Sequence, residues 1–183
     1  MGPITSSLCH SPVLGIAMWL STLCAFPPPM PEKSVSLDAP GLILSSTFDA
    51  PIDYSYQLIL TFTFPTLDDR LKDKFVGDRY ATVAECDGTV RYEEIPAERR
   101  IGLGEPVPLK VTVTDLSSSE TVFDKTTYSL CEAFHDGKLE KGRIVSDIGL
   151  KRGKYRIEVT NILSEPAVKG IKIGMMLAPH HAK

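Results

Sequence analysis

Large side chains alternate with smaller, mostly polar ones from Tyr54 to Phe64, and this feature most limits the folds open to the chain. Such a period of two places successive side chains on opposite faces of an extended strand. The large face comprises Tyr54, Tyr56, Leu58, Leu60, Phe62 and Phe64. These side chains need a second layer to cover them, because burying each one contributes about 1.5–3 kcal/mol. The segment therefore predicts a core strand between two packed layers.

The same period recurs in later segments of the chain. Pro106 to Asp115 alternates, and Thr121 to Tyr128 follows the polar turn Leu116–Glu120 as its hairpin partner. We expect Arg143 to Leu150 and Lys154 to Asn161 to form a further hairpin. Prolines and glycines lie between these apolar runs, as the turns between many short strands require.

Three further segments complete the strand pattern. Val35–Leu37 and Gly41–Phe48 are expected to open the domain, and Val168–Leu177 to close it. Tyr155 follows a turn that contains Gly153, a placement typical of the tyrosine corner of immunoglobulin-like domains. We therefore predict a mainly β fold: an immunoglobulin-like antiparallel β-sandwich with one short helix between strands.

The short helix is expected between Thr66 and Gly77, where the apolar period changes. Thr66 is a good N-cap with Asp69 three residues later, and Gly77 suits a left-handed helix end. One apolar stripe of this helix would comprise Leu67, Leu71 and Phe75.

Residues 1–31 have a different character and contain no charged side chain before Glu32. The apolar run from Val13 to Phe26 is about 14 residues, too short for a membrane span but suited to a signal peptide. No Lys or Arg precedes Val13, which is unusual for a signal peptide and leaves a buried amino-terminal helix or strand as the alternative. We expect a leader and Pro-rich spacer at 1–31, a sandwich domain at 32–178 and a flexible tail at 179–183.

The leader offers two processing sites. Leu20–Cys24 resembles a lipoprotein box in which Cys24 would be acylated, although Leu23 is large for the position before that cysteine. Cleavage before Phe26 is the alternative. The expected location is the periplasm or the exterior, with membrane anchoring through Cys24 if that residue is acylated.

Removal of the leader leaves two cysteines, Cys86 and Cys131. In an oxidising compartment the pair could form a disulfide, which the chain-entropy model values at roughly 3–4 kcal/mol. Two independent buried thiols are the alternative. No spacing of cysteine and histidine suggests zinc.

Composition and motifs argue against several classes of function. The formal net charge is −3 and no long basic run occurs, which argues against nucleic acid as a partner. The chain lacks phosphate-binding glycine motifs, a nucleophile elbow and calcium-loop spacing. His135, the histidine that lies within the body of the domain, is expected on a polar turn. We therefore predict no enzymatic activity, no cofactor and no metal site. A hydrolase is the exception that the sequence still allows, if the fold brings distant acidic residues together in one cleft.

The region from Asp78 to Glu105 has the least regular pattern and is called the insertion below. Long irregular insertions on a sandwich are either solvated excursions or functional surfaces. As a partner surface it would present Asp87, Arg91, Tyr92, Glu93, Glu94, Arg99 and Arg100.

Several of these segments together resemble a known family. They are Tyr56–Phe64, the helix around Arg70–Val76, Pro106–Val113, Thr121–Lys125 and Ile148–Asn161. The chain is similar in them to a family of small bacterial envelope proteins and lipoproteins of unknown function. The resemblance implies an envelope location and an immunoglobulin-like sandwich, and it supplies no catalytic residues.

Two functions remain open at this stage. The first is a non-enzymatic extracytoplasmic module that binds a protein, for example an immunity protein that neutralises an envelope-targeted toxin through the insertion. The second is a carbohydrate- or lipid-binding accessory domain of the envelope that uses the aromatic strand Tyr54–Phe64 as a stacking platform. The sequence leaves the oligomeric state open.

Overall fold

The structure is a computed structural model that describes residues 28–79, 86, 90–135, 138–164 and 170–180. Nine strands and one α-helix occur within these ranges. In chain order they are β1 (Met30–Val35), β2 (Gly41–Ala50), β3 (Tyr54–Thr63), α1 (Leu67–Lys72), β4 (Val107–Asp115), β5 (Thr121–Ser129), β6 (Glu132–His135), β7 (Glu140–Leu150), β8 (Gly153–Asn161) and β9 (Lys172–Pro179).

The strands form two antiparallel sheets that pack face to face. One sheet has five strands in the order β1-β9-β3-β7-β6, and the other has four in the order β2-β8-β4-β5. The predicted fold class is therefore confirmed: the protein is mainly β, a two-sheet sandwich with one short α-helix in the part of the chain that is described.

The core lies between the sheets and is built from the alternating segments. Leu58, Leu60 and Phe62 of β3 are fully buried, and so are the inward-facing valines and leucine of β4. Five of the six large side chains of the Tyr54–Phe64 segment belong to this core, whereas Tyr54 is 42% exposed. The large face of the aromatic strand is thus an interior surface.

The predicted hairpin of β7 and β8 is wrong, because these strands belong to different sheets. β7 pairs with β3 and β6, whereas β8 lies between β2 and β4. The short turn after Leu150 instead carries the chain from one layer to the other. Tyr155 forms the expected corner there, since its hydroxyl donates to the carbonyl of Lys151 at 3.0 Å. Alternation along a strand does not reveal which strand lies beside it.

The helix begins as predicted but ends earlier. Thr66 accepts a hydrogen bond from the backbone N–H of Asp69 at 3.1 Å. The helix ends at Lys72 because Asp73 adopts an extended conformation and its carboxylate accepts from the N–H groups of Phe75 and Val76.

The predicted apolar stripe of the helix is wrong as well. Leu67 and Leu71 are 46% and 69% exposed, and Arg70 is the buried side chain of α1. Phe75 reaches the core from beyond the helix end. The prediction was wrong because it continued the helical spacing to Phe75, where the chain is no longer helical.

Two connections are more ordered than the sequence predicts. The expected polar connection Cys131–Gly142 contains β6 and the start of β7. At the carboxyl end, Pro179 lies within β9 and the N–H of His180 donates to the carbonyl of Ser55 at 2.9 Å. Residues 181–183 of the predicted tail lie outside the described ranges, as do residues 1–27 of the predicted leader, with Cys24, and the loop residue Asp87. The last two residues of the predicted spacer, Met30 and Pro31, belong to β1. Of the helices that are described, none has the length and apolar character needed to cross a bilayer.

Candidate functional site

One end of the sandwich carries most of the irregular structure. Here β3 ends and β4 begins, and the β1–β2, β6–β7 and β8–β9 connections lie at the same end, as the antiparallel registers require. We call it the α1 end, because α1 follows β3 there. The chain leaves the sandwich at Thr63 and returns at Val107, so the insertion is anchored at this end on both sides.

Two short 3₁₀ turns, Tyr92–Glu94 and Ala97–Arg99, lie in the described part of the insertion. Arg100 fastens them together. Its guanidinium donates to the carbonyls of Ile95 at 2.7 Å and Glu93 at 3.0 Å, and it lies over the Tyr92 ring at 4.8 Å. Because one side chain satisfies two carbonyls and covers a ring, the turns have a fixed conformation.

A disulfide between Cys86 and Cys131 ties the insertion to the segment after β5. Of the two alternatives for these cysteines, the structure therefore contains the bridge. Around it lies a small apolar cluster separate from the main core, formed by Cys86, Ile95, Leu103, Leu130 and Cys131. The bridge and the cluster give the insertion its own packed base.

Two buried cations on β7 hold the root of the insertion, the name we use for the two chain segments that join it to the sandwich, residues 73–79 and 103–105. Arg143 is fully buried and donates to the carbonyls of Phe75 at 3.0 Å and Glu105 at 2.8 Å. Lys141 is 3% exposed; its ammonium lies 2.8 Å from a carboxylate oxygen of Asp78 and 3.4 Å from one of Asp73. Hydrogen bonds from charged donors to buried acceptors are the strong ones, so the root is rigid.

The two arms of the insertion root cross in close contact. Gly77 and Leu103 form an isolated antiparallel bridge, and the N–H of Glu105 donates to the carbonyl of Phe75 at 2.9 Å. A Cβ on Gly104 would meet the carbonyl carbon of Val76 at 2.7 Å, well inside van der Waals contact. Position 104 therefore requires glycine, because a larger residue has no room where the two arms cross.

The predicted partner residues fall into two groups. Arg91, Glu93, Glu94 and Arg99 are exposed, and the Arg91 guanidinium lies 3.8 Å from a Glu93 carboxylate oxygen. Tyr92 and Arg100 are half-buried, since they pack against each other inside the insertion. Four of the seven residues thus remain available to a partner, two are structural, and Asp87 lies outside the described residues.

Sequence reasoning missed Ile101, whose side chain is 80% exposed. Its backbone is fixed: Gly102 has φ +80°, and the Gly102 carbonyl accepts from the N–H groups of Asp78 and Arg79, each at 3.0 Å. The fixed backbone therefore gives this exposed apolar side chain a defined position. The signal in the sequence was an Ile placed between an arginine pair and a glycine.

Other exposed apolar side chains collect at the same end. Besides Ile101 they are Leu42, Leu67, Leu71, Leu139, Ile162 and Leu163, whereas Ile52, Tyr54, Leu116 and Val122 lie toward the opposite end. Single exposed apolar residues need no explanation, but a concentration on one surface favours an interaction site.

Two adjoining hollows lie beside α1. The larger, about 280 Å³, is lined by Phe64 and Ile171 and by the charged side chains of Asp69, Lys72 and Asp73. The smaller, about 150 Å³, is lined mainly by residues 35–38 and shares Gly170 and Ile171 with the first. The surface beside α1 therefore has shallow hollows with both apolar and charged lining residues.

Across the described ranges, no three His, Cys, Asp or Glu side chains meet in a way that could hold a metal ion. The His180 Nδ1 atom lies 2.8 Å from an oxygen of Asp147, but this pair is near the end opposite α1 and also engages Gln57. The aromatic strand offers no stacking platform, because Tyr56, Phe62 and Phe64 are buried.

Comparisons with known proteins agree with this fold and are silent on activity. The family model described as "Domain of unknown function (DUF5625)" matches residues 32–178. The crystal structure of a protein from Sulfurospirillum deleyianum is similar, with a TM-score of 0.61 and 20% sequence identity over 85% of this chain and 100% of that chain. At this level of identity the likeness shows the fold alone. No curated protein matches the chain significantly.

Proposed function

Since the chain belongs to the DUF5625 family of domains of unknown function, we propose its role from geometry alone: it is a non-enzymatic module outside the cytoplasm that binds a protein partner through its α1 end. The observation that carries this proposal is the rigid mounting of the exposed Ile101. A surface that is already ordered loses little conformational entropy on binding, so its contacts convert efficiently into affinity.

The proposed interface has the composition that protein partners favour. Ile101 is the apolar anchor, and the exposed charges of Arg91, Glu93, Glu94 and Arg99 form a polar surround. Interfaces concentrate their binding energy in a few central side chains and place charged groups at the rim.

A disulfide-bridged domain also suits an oxidising compartment. If Cys24 is the acylated anchor, the direction of β1 supports a protein over a lipid surface. β1 runs toward the α1 end from Met30, which pairs with Leu177 nearer the middle of the sheet. A tether that continued in line with β1 would lead away from the α1 end, and this end would then face away from the membrane.

The finer version of the proposal is an immunity protein that occludes a toxin acting in the envelope. Its support is the formal net charge of −3, which suits a basic partner. The carbohydrate- or lipid-binding alternative loses its support, because the aromatic face of β3 is interior.

The test is capture from an envelope extract with matched variants. Ile101→Asp should lower the amount of the captured partner by about tenfold or more, because it places a charge in the centre of the interface. Leu116→Asp is the control. Like Ile101, Leu116 is an exposed aliphatic residue, but it lies on the β4–β5 turn at the opposite end.

Equal capture by wild type and Ile101→Asp, or equal loss with Leu116→Asp, would reject the α1 end as the binding surface. For the immunity version, the partner gene expressed in the periplasm should be toxic alone and harmless with the wild-type protein. Ile101→Asp should fail to protect.

A further inference from the structure

The outer edge of β2 is an open sheet edge. β2 is the terminal strand of the four-stranded sheet and pairs with β8 on one side only. Ser45, Thr47 and Asp49 project outward and are exposed, whereas Leu44, Ser46, Phe48 and Ala50 project into the sandwich and are buried. An unpaired edge presents a row of free N–H and C=O groups that can accept another strand.

The other edge strands carry more of the usual protection against pairing than β2 does. β1 contains Pro31, Glu32 and Lys33, and β5 contains Asp124 and Lys125. β6 has four residues and begins with Glu132. In contrast, the sequence is uncharged from Ala39 through Phe48. Charges, proline and shortness are devices that natural sheets use to block an edge, and in β2 only Asp49, near the end of the strand, is charged, so most of this edge is available.

A bulge limits the available part of β2. The register with β8 shifts between Leu42 and Leu44, and the pairing is regular from Leu44 to Ala50. A bulge twists an edge away from a would-be partner. The regular segment of β2 is therefore the part that another strand would pair with, and its centre is Thr47.

We propose that β2 pairs antiparallel with β2 of a second copy of this chain, about a two-fold axis at Thr47. In this register large inward side chains meet small ones: Leu44 lies opposite Ala50 of the second copy, and Phe48 opposite Ser46. On the outer face Thr47 meets Thr47, and Ser45 can donate to the Asp49 carboxylate. Opposed threonine pairs of this kind stabilise antiparallel sheets.

The charges fit a second copy and a closed assembly. Each Asp49 faces a serine, so no like charges are opposed, and its carboxylate lies 4.0 Å from the ammonium of Lys154 in its own chain. The joined sheet would have β5 at both outer edges, where Asp124 and Lys125 block further pairing. A self-complementary contact about a two-fold axis ends at the dimer and does not grow into a fibre.

The test is sedimentation equilibrium of the purified exported chain. The wild type should dimerise. Thr47→Lys should raise the dimer dissociation constant by about tenfold or more, because it opposes two lysines at the axis. Thr126→Lys is the matched control: it makes the same change at an exposed position on β5, the opposite edge of the same sheet, and should leave the dimer unchanged.

A mixture separates electrostatic repulsion from misfolding. Thr47→Glu alone should weaken the dimer as well, but an equimolar mixture with Thr47→Lys should restore it, since lysine then faces glutamate. The proposal is overturned if the wild type is monomeric up to roughly 1 mM. It also fails if Thr47→Lys dimerises as tightly as wild type, if Thr126→Lys weakens the dimer equally, or if the mixture stays monomeric.

Discussion

Two tyrosines fasten the end of the sandwich opposite α1. The Tyr155 hydroxyl donates to the Lys151 carbonyl at 3.0 Å, and the Tyr56 hydroxyl donates to the Ile52 carbonyl at 2.9 Å. Both hydrogen bonds span four residues and hold the turn that precedes the strand. Burial raises the pKa of both phenols above the usual value, and the nearby carboxylate of Asp115 raises the pKa of Tyr155 further.

These raised pKa values predict a loss of stability in alkali. The folded state holds the phenol protons more tightly than the unfolded chain, so this stabilisation is complete below about pH 10, the pKa of an unfolded tyrosine. It falls as the pH rises through the higher folded pKa. We expect Tyr155→Phe to cost about 1 kcal/mol of unfolding free energy at pH 8.

Urea unfolding of wild type and Tyr155→Phe between pH 8 and pH 11 provides the measurement. Because lysines titrate in the same range, the informative quantity is the difference between the two proteins at each pH. That difference should shrink as the pH rises. A difference that stays constant or grows would contradict the assignment.

At the scale of elements, the crossing of the insertion arms depends on glycine. Gly104→Ala should lower the unfolding free energy by about 1–3 kcal/mol, because its methyl group would collide with the backbone of Val76. Gly149→Ala is the matched control, since a Cβ there meets nothing within 4 Å. Urea unfolding of the two variants decides the matter, and equal stability would show that the arms can separate without cost.

The elements differ in how well local sequence predicts them. β3 and β4 were predictable because one face of each is buried along most of its length, so the side chains alternate with a period of two. The end of α1 was not, because Leu67, Leu71 and Phe75 keep the helical spacing although Phe75 lies beyond the helix. The partners of β7 and β8 were not predictable either, since pairing depends on contacts far away in the chain.

The candidate site was only partly predictable for a related reason. The charged surface of Arg91, Glu93 and Glu94 could be proposed from composition, because charged side chains in an irregular segment are usually exposed. The buried roles of Arg143 and Lys141 could not, since each depends on carbonyls or carboxylates more than thirty residues away in the chain. Ile101 was missed because an isolated isoleucine in a sequence is normally assigned to a core.

For the whole molecule, processing of the leader leads to a simple optical prediction. The chain contains one tryptophan, Trp19, and it lies within the predicted signal peptide. Cleavage at either Cys24 or Phe26 would leave an exported protein without tryptophan. Excitation near 295 nm should then give almost no emission, and mass spectrometry should show loss of the leader. Tryptophan emission from protein recovered outside the cytoplasm would contradict cleavage.

The direction of β1 has a mechanical consequence. A chain tethered at its amino terminus and gripped by a partner at the α1 end would be pulled along the strand axes. β1 is joined antiparallel to β9, so its ladder of hydrogen bonds would be loaded in shear, with several bonds sharing the force together. Peeling them one after another requires a perpendicular pull. If the proposed anchor and the proposed partner are both correct, loading in shear would let the domain resist a pull between them.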